Sequence, residues 1–554
     1  MVRLLNKTVN ISVSAGTSGS ALTTVSEKQT TGSITAGSDI LTVADGSGLS
    51  VGDWVVIATG GEEGAGARGT RGVGGAWPAL SYANATAMNA DTSQSNNEMC
   101  WLESTGDTYY RNTGTSAWVA VATSDYYYQK AIPKALTAQI TARIGNKIKL
   151  DRNAVVSTTN APVYFDNWGI IQNAVSSGLT VNIPSGEYYC SGFIQAVNRD
   201  GLVFSGAGKS QTFLRTPRGA CPVGITLQDS DNSVIRDVTF DVGFKNDRYS
   251  MQWSDSRVGL AFYPGGLWQE FYRNSFGLPR AVFVGGSPNS EILDCDAINP
   301  GIQGFTSSFA FDVWFRRCTV VVEDPRRSYL QWMMQIADGT RGGFEDCTID
   351  SNWLISGYEP FKSRDVTFRR CTARNAVSSH NSSDGTLFED LDLTIEAGSQ
   401  GLSHIGSNDP IFQVNQNAGG GFNTNVTRFV NPRVIQEGYP NPSWRLIGFV
   451  LNTGTCPVEI TGTYDTDPTT PKGLIDMQVG PTGFNSFEGL GIRSSGTLTV
   501  EGIRIKGTPP GSNSMVHTEG GALTITNSIF DPDTPTGTFV VAASGNQTNA
   551  EYEA

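Results

Sequence analysis

The second half of the chain repeats one short pattern of apolar and polar positions: an apolar residue, two residues of mostly charged character, then cysteine. It reads Ile292-Leu293-Asp294-Cys295, Phe315-Arg316-Arg317-Cys318, Phe344-Glu345-Asp346-Cys347 and Phe368-Arg369-Arg370-Cys371. A fifth copy, Phe388-Glu389-Asp390-Leu391, carries leucine in the cysteine place. The last residues of successive copies lie 23, 29, 24 and 20 positions apart. A unit this size cannot bury its own apolar face, and such a period signals a solenoid in which neighbouring units supply the missing contacts. Equivalent side chains then stack in ladders about 4.8 Å apart. Cysteine suits such a ladder as a small, rarely reactive hydrophobe in a narrow core.

Fainter copies extend the repeat upstream as Val234-Ile235-Arg236-Asp237-Val238. Downstream they continue as Thr427-Arg428-Phe429-Val430, Val458-Glu459-Ile460-Thr461, Leu498-Thr499-Val500-Glu501 and Leu523-Thr524-Ile525-Thr526. Ten or so coils make a rod roughly 50 Å long or more. The fold predicted is therefore all-β, a right-handed parallel β-helix over residues 161–535, with excursions at 244–285 and 398–425. An uncovered end of such a rod invites aggregation. The stretch Asp166 to Val175 has helical spacing at Ile170, Ile171, Ala174 and Val175, and reads as a helix capping the first coil. Upstream, Ser33-Ile34-Thr35, Leu41-Thr42-Val43 and Trp54-Val55-Val56-Ile57 predict a small β domain within 31–160. It holds an aromatic, strand-like insertion from Met99-Cys100-Trp101 to Trp118-Val119. Residues 1–30 are polar and weakly patterned, as a tether would be, and 536–554 form a C-terminal tail.

Composition supports strands and turns: 64 glycines, 38% apolar residues and 16% charged ones. A formal net charge of −13 argues against a nucleic-acid groove and against an anionic membrane surface, both of which need a basic face. No apolar run approaches the roughly 18 residues of a membrane helix, and the start, Met1-Val2-Arg3-Leu4-Leu5-Asn6-Lys7, lacks a signal-peptide core. Synthesis in a cytoplasm without cleaved-signal export is the expectation. The eight cysteines form neither a disulfide framework nor a CxxC zinc pattern, so no metal and no cofactor is expected.

The helix, then Val181-x-Ile183-Pro184-x-Gly186-x-Tyr188, then Gly206-Ala207-Gly208-Lys209-Ser210 resembles the entrance of pectate-lyase-like β-helices, especially those of bacteriophage tailspikes. The glycine-rich run also imitates a phosphate loop, but Val203 stands where the first glycine of that motif is required, and no long helix follows. The segments Ala67 to Pro78 and Ile132 to Asp151 are similar to parts of tailspike-type proteins. The resemblance implies a homotrimer on a phage virion, made in the host cytoplasm. Its N-terminal region would join other tail or baseplate proteins, and its β-helix would bind a bacterial surface polysaccharide and often cleave it.

Cleaving a glycosidic bond needs two flanking carboxylates, or, in a lyase, a base that removes the proton next to a carboxylate. On a solenoid these groups project from neighbouring coils. Aligning the segments ahead of the repeat marks places Asp338, Glu359 and His380 as catalytic candidates, with Trp332, Tyr358, Tyr329, Arg341 and Asp384 as substrate-binding candidates. Aromatic rings would pack on pyranose faces, and Arg326, Arg327 and Arg341 would suit an acidic polysaccharide. Trp314 and Trp353 fall in the same coils, although Trp314 also reads as core. The histidines His380 and His404 are 24 residues apart in related contexts, a spacing that a stacked surface pair without a ligand also explains. Two other readings fit the same pattern: a β-helical fibre or adhesin that only binds glycan, and a bacterial pectate-lyase-like enzyme, which the missing signal disfavours.

Overall fold

The computed structural model describes residues 24–61, 80–82, 84–90, 99–102, 107–111, 118–120, 135–178, 180–218, 220, 223–243, 280–300, 303–323, 333–381, 383–396, 400–401, 412–415, 426–437, 449–452, 456–463, 472–477, 492–507, 516–518, 521–532, 540–541 and 551–552. Twelve short strands, from Thr180–Asn182 to Leu523–Thr526, pair in parallel as one ladder, and 25 more form two further faces of the same solenoid. The chain is a parallel β-helix.

The repeat read from the sequence is the inward register of the first ladder. Phe315, Phe344, Phe368 and Phe388 align residue on residue, and the column continues through Phe429, Ile460, Val500 and Ile525. The rings stack nearly parallel, with centroids 4.6 Å apart at Phe315 and Phe344, 5.5 Å at Phe344 and Phe368, and 4.8 Å at Phe368 and Phe388. Because side chains alternate along a strand, the intervening residues face outward. There the charges interleave: Arg316 Nε donates to Glu345 at 3.0 Å and Arg369 Nε to Glu389 at 2.5 Å. Such half-exposed pairs are worth at most about 1 kcal/mol each. A one-residue slip would bury them, so they help to fix register.

Cysteine occupies the turn out of that ladder. The amides of Thr319, Thr348, Thr372 and Asp392 donate at 2.9 Å to the carbonyls of Cys295, Cys318, Cys347 and Cys371 respectively, which places the four thiols on successive coils. All four are fully buried, and none is in a disulfide. The Sγ atoms of Cys347 and Cys371 donate at 3.4 Å to the carbonyls of Phe315 and Phe344, one coil away. Burial pushes the Cys295, Cys318 and Cys371 thiols up, whereas at Cys347 burial is outweighed by hydrogen bonds from the Cys318 and Cys371 thiols, which pull it down. Corners are turned by residues at positive φ, among them Asn232, Asp237, Asn289, Asp294 and Asp346, since Asn and Asp tolerate the left-handed region best after glycine.

The predicted capping helix spans Trp168–Ser177. Ile171 and Val175 join the solenoid core, while Ile170 packs on the core of the N-terminal domain, so the helix seals the rod and seats that domain on it. Its Gln172 side chain exchanges two hydrogen bonds with the backbone of Gln195 in the first strand of the third ladder, 2.9 Å to the carbonyl and 2.8 Å from the amide. An edge that would otherwise pair with another chain is thereby occupied. The N-terminal domain is a closed antiparallel barrel of six strands, Gln29–Ile34, Ile40–Val43, Trp54–Ile57, Leu136–Ile144, Lys147–Leu150 and Thr158–Phe165. The aromatic insertion supplies three strands of a separate four-stranded sheet, completed by Leu80–Tyr82. Residues 24–28, read as tether, dock on the first coil: fully buried Asn167 accepts from the Ser26 amide at 2.8 Å and donates to its carbonyl at 2.9 Å. At the other end Val540–Val541 and Glu551–Tyr552 still pair with the solenoid, beyond the boundary read at 535. Among the described residues no helix is long and apolar enough to cross a membrane.

Candidate functional site

The third ladder carries the strands Arg280–Gly285, Gln303–Ser308, Met334–Ala337 and Tyr358–Phe361 on consecutive coils. Phe305, Met334, Ile336 and Tyr358 belong to the core. The intervening positions would ordinarily meet water, yet Thr306, Gln335 and Glu359 are 2%, 0% and 1% exposed. Gly304 reshapes this face. Its amide and that of Phe305 both donate to the Met333 carbonyl, at 2.9 and 3.0 Å, the doubled bond of a bulge. A Cβ at Gly304 would lie 2.4 Å from Val320 Cγ2, so the close approach needs glycine.

The bulge lets Gln303 meet Gln335: Gln303 Nε2 donates to Gln335 Oε1 at 2.5 Å, and Gln335 Nε2 donates in turn to Glu359 Oε2. Arg280 aligns with Gln303 and is 1% exposed, its guanidinium 4.7 Å from the Phe283 ring centre. Around this row the oxygens Thr226 Oγ1, Gln303 Oε1, Thr306 Oγ1, Ser307 Oγ and Ser308 Oγ are buried without a hydrogen-bond partner. Buried polar atoms left unmatched cost stability, so five such oxygens in one ladder set it apart among the described strands.

Beyond these strands the chain turns through a corner open to solvent. The Phe309 amide donates to the Ala337 carbonyl at 3.1 Å and the Asp338 amide to the Phe361 carbonyl at 2.8 Å. Phe309, Asp338 and Lys362 therefore hold one place on three successive coils, all at positive φ, 54°, 48° and 48°. Phe309 is 57% exposed and Phe311 44%. Burial pushes the Asp338 carboxyl up, while the positive charge of Lys362 pulls it back. The Lys362 ammonium sits 5.1 Å from the centre of the Phe361 ring.

The register corrects the expectation that Asp338, Glu359 and His380 stand side by side. They are on consecutive coils, but Glu359 aligns with Gln335, three strand positions from Asp338, or roughly 10 Å along the strand. His380 lies in strand Thr372–Asn381 with its Cα opposite Val414. Tyr358 is a core residue rather than a sugar platform. It is fully buried, with its hydroxyl donating to the carbonyls of Cys347 and Thr372 at 3.1 and 2.7 Å. Arg341 is exposed but engaged: it pairs with Asp312 at 2.8 Å and lies 5.8 Å from the Phe311 ring centre. Asp384 is 6% exposed, in an isolated bridge to Arg364 with its amide bonded to the Ser363 carbonyl at 2.8 Å, and is buried instead of displayed to a ligand. Trp314 faces outward beneath the Arg316 guanidinium, 5.0 Å from its ring centre. Trp332, Tyr329, Arg326, Arg327 and His404 lie outside the described residues, as do most of the two excursions.

Phe309, Phe311, Lys362, Gln303 and Gln335 went unnoticed in the sequence. The one available signal was positional, a phenylalanine where the preceding coils put Asn198, Asp229 and Gly286. Among the described residues no group of three His, Cys, Asp or Glu side chains is placed to hold a metal ion.

No family model matches the chain, and no curated protein matches it. Among solved structures, it is similar to the catalytic domain of a GH87 alpha-1,3-glucanase in complex with nigerose, with a TM-score of 0.41 and 11% identity over 96% of this chain and 90% of that one. The Agl-KA catalytic domain gives a TM-score of 0.40 and 11% identity over 94% and 91% of the two chains. The mannuronan C-5 epimerase AlgE6 A-module of Azotobacter vinelandii gives a TM-score of 0.35 and 15% identity over 68% of this chain and 95% of its own. The glucanase and the epimerase are polysaccharide-active by name.

Proposed function

We propose that this chain is a tailspike or closely related receptor-binding protein of a bacteriophage. In this reading it is a homotrimer whose β-helix recognises a bacterial surface polysaccharide, whether capsule, lipopolysaccharide or exopolysaccharide, and depolymerises it. Its N-terminal barrel joins other tail or baseplate proteins. The carrying observation is Asp338: a carboxyl pushed up by burial at a solvent-facing corner, between an exposed aromatic ring and a lysine. Support for the viral setting is the sequence resemblance at the solenoid entrance, where Val181 and Ile183 fill the first coil.

A raised carboxyl pKa keeps the proton available nearer neutral pH, which suits a general acid. In a hydrolase Asp338 would protonate the glycosidic oxygen as its bond to the anomeric carbon breaks, and the water that adds at that carbon would return a proton to the Asp338 carboxylate or to solvent. In a lyase its carboxylate would take the proton beside a uronate carboxyl, whose charge Lys362 offsets, the C–O bond to the departing sugar would break as the C=C bond forms, and the proton would pass on to the departing oxygen. Glu359 is buried, so it acts as a positioning residue, anchoring the amide row that underlies the corner.

Incubating the purified chain with each class of polysaccharide tests this. New reducing ends alone indicate a hydrolase, and reducing ends with ultraviolet absorbance from unsaturated sugar indicate a lyase. Asp338→Asn is expected to slow cleavage about 10²- to 10⁴-fold while glycan binding persists. Undiminished cleavage by that variant removes Asp338 from the chemistry. The second reading, a fibre that binds without cleaving, is favoured by the burial of Glu359, which leaves one of the two candidate carboxyls at the surface. Binding with no new chain ends would establish it.

A further inference from the structure

Resting on the polysaccharide reading, we infer that Phe309 and Lys362, flanking Asp338, form a subsite for two adjoining units of an acidic glycan. Phe309 carries the apolar face of one pyranose and Lys362 the carboxylate of the next. Three independent features point there. The first is strain. The place that Phe309 and Lys362 hold is filled on earlier coils by Asn198, Asp229 and Gly286, the residue types that enter the left-handed region at least cost. A bulky aromatic at φ 54° is an outlier, and such outliers cluster at binding sites.

The second is exposure. Phe309 and Phe311 are the two exposed phenylalanines among the described residues, and neither contributes to either hydrophobic core. Neither packing nor backbone preference accounts for Phe309. The third is charge. In a chain of net charge −13, this corner presents a lysine beside aromatic rings, its charge shared with Asp338 only when that carboxyl is ionised, while Arg341 is already paired with Asp312. Three coils at about 4.8 Å place ring, acid and ammonium along a line some 10 Å long. The reacting carboxyl is then at the centre of the line, with the stacked ring to one side and the cation to the other.

The test uses the full-length chain in an Asp338→Asn background. Its ligands are uronate-containing capsular polysaccharides, each paired with the same polymer after its carboxyl groups have been reduced to alcohols. Phe309→Asn should raise the melting temperature, because asparagine accepts the left-handed turn, and should weaken binding roughly tenfold. Lys362→Gln should abolish the preference for the acidic polymer over its reduced partner. A structural role for Phe309 predicts the opposite sign on stability. Unchanged affinity in Phe309→Asn, equal binding of acidic and reduced polymers by the parent protein, or a change of oligomeric state in place of a change of affinity each overturns the subsite. If the parent protein binds none of these polymers, the polysaccharide reading fails with it; if it binds and Phe309→Asn binds equally, the subsite alone fails.

Discussion

Asp338 shows how one turn residue ties function to stability. Its carboxyl is raised above the ordinary value of 3.8 chiefly by burial, so the native state holds a proton that the unfolded chain releases first. Between the ordinary and the raised value the native state binds more protons, and stability falls as pH rises through that window. Asp338→Asn carries no such slope. Urea denaturation over a pH series is therefore expected to show the variant gaining on the parent protein as pH rises from acid, with the difference level above the raised value. The same proton links to activity: a hydrolase using Asp338 as acid should lose activity as Asp338 ionises, and a lyase using its carboxylate as base should gain it. Phe344 illustrates a purely structural residue. Fully buried between Phe315 and Phe368, it leaves a cavity when cut to alanine, at a cost of about 3–5 kcal/mol by chemical denaturation. Sequence spacing made Phe344 legible because its neighbours repeat it; Phe309 was not, because its significance lies in a backbone angle.

At the scale of elements, the capping helix matters more than its ten residues suggest. It contributes Ile171 and Val175 to one core, Ile170 to another, and Gln172 to a strand edge. Asn167, just ahead of it, bonds the docked N-terminal segment and the Tyr189 carbonyl. Asn167→Ala would leave buried backbone groups unmatched and is expected to cost roughly 1–3 kcal/mol, measured by thermal or urea unfolding. Helical spacing gave the helix away, but its partners were invisible, since Gln172 and Asn167 look like any polar residue until the coil they face is in place. The third-ladder strands hide their role for a related reason. The segment Trp332-Met333-Met334-Gln335-Ile336 places the amide of Gln335 among apolar residues, and only the bulge at Gly304 reveals which side chain meets it.

At the scale of the molecule, a dozen rungs at about 4.8 Å give a rod close to 50 Å long, sealed at one end by a helix and a barrel. Each coil touches its neighbours and little else, so stability is a sum of adjacent contacts, and chain association is the means by which such rods gain more. The trimer proposed above predicts three times the mass of 59.2 kDa in sedimentation equilibrium at micromolar concentration. A monomer there would remove the trimeric part of the reading without touching the corner site.

The sequence by itself determined the solenoid, its inward phenylalanine and cysteine columns and its capping helix. Each depends on residue type recurring at a spacing, and burial in a repeated environment selects the same types again. It also named Asp338. Only the tertiary structure decided which residues share a place around the rod. Segments set ahead of each cysteine without a fixed count put Asp338, nine residues before Cys347, beside Glu359, twelve before Cys371, whereas strand pairing sets Asp338 beside Phe309 and Lys362, each nine residues before its own cysteine, and hides Tyr358 in the core. Register across coils is fixed by hydrogen bonds between backbones, and a backbone hydrogen bond leaves no mark on the identity of the residues it joins.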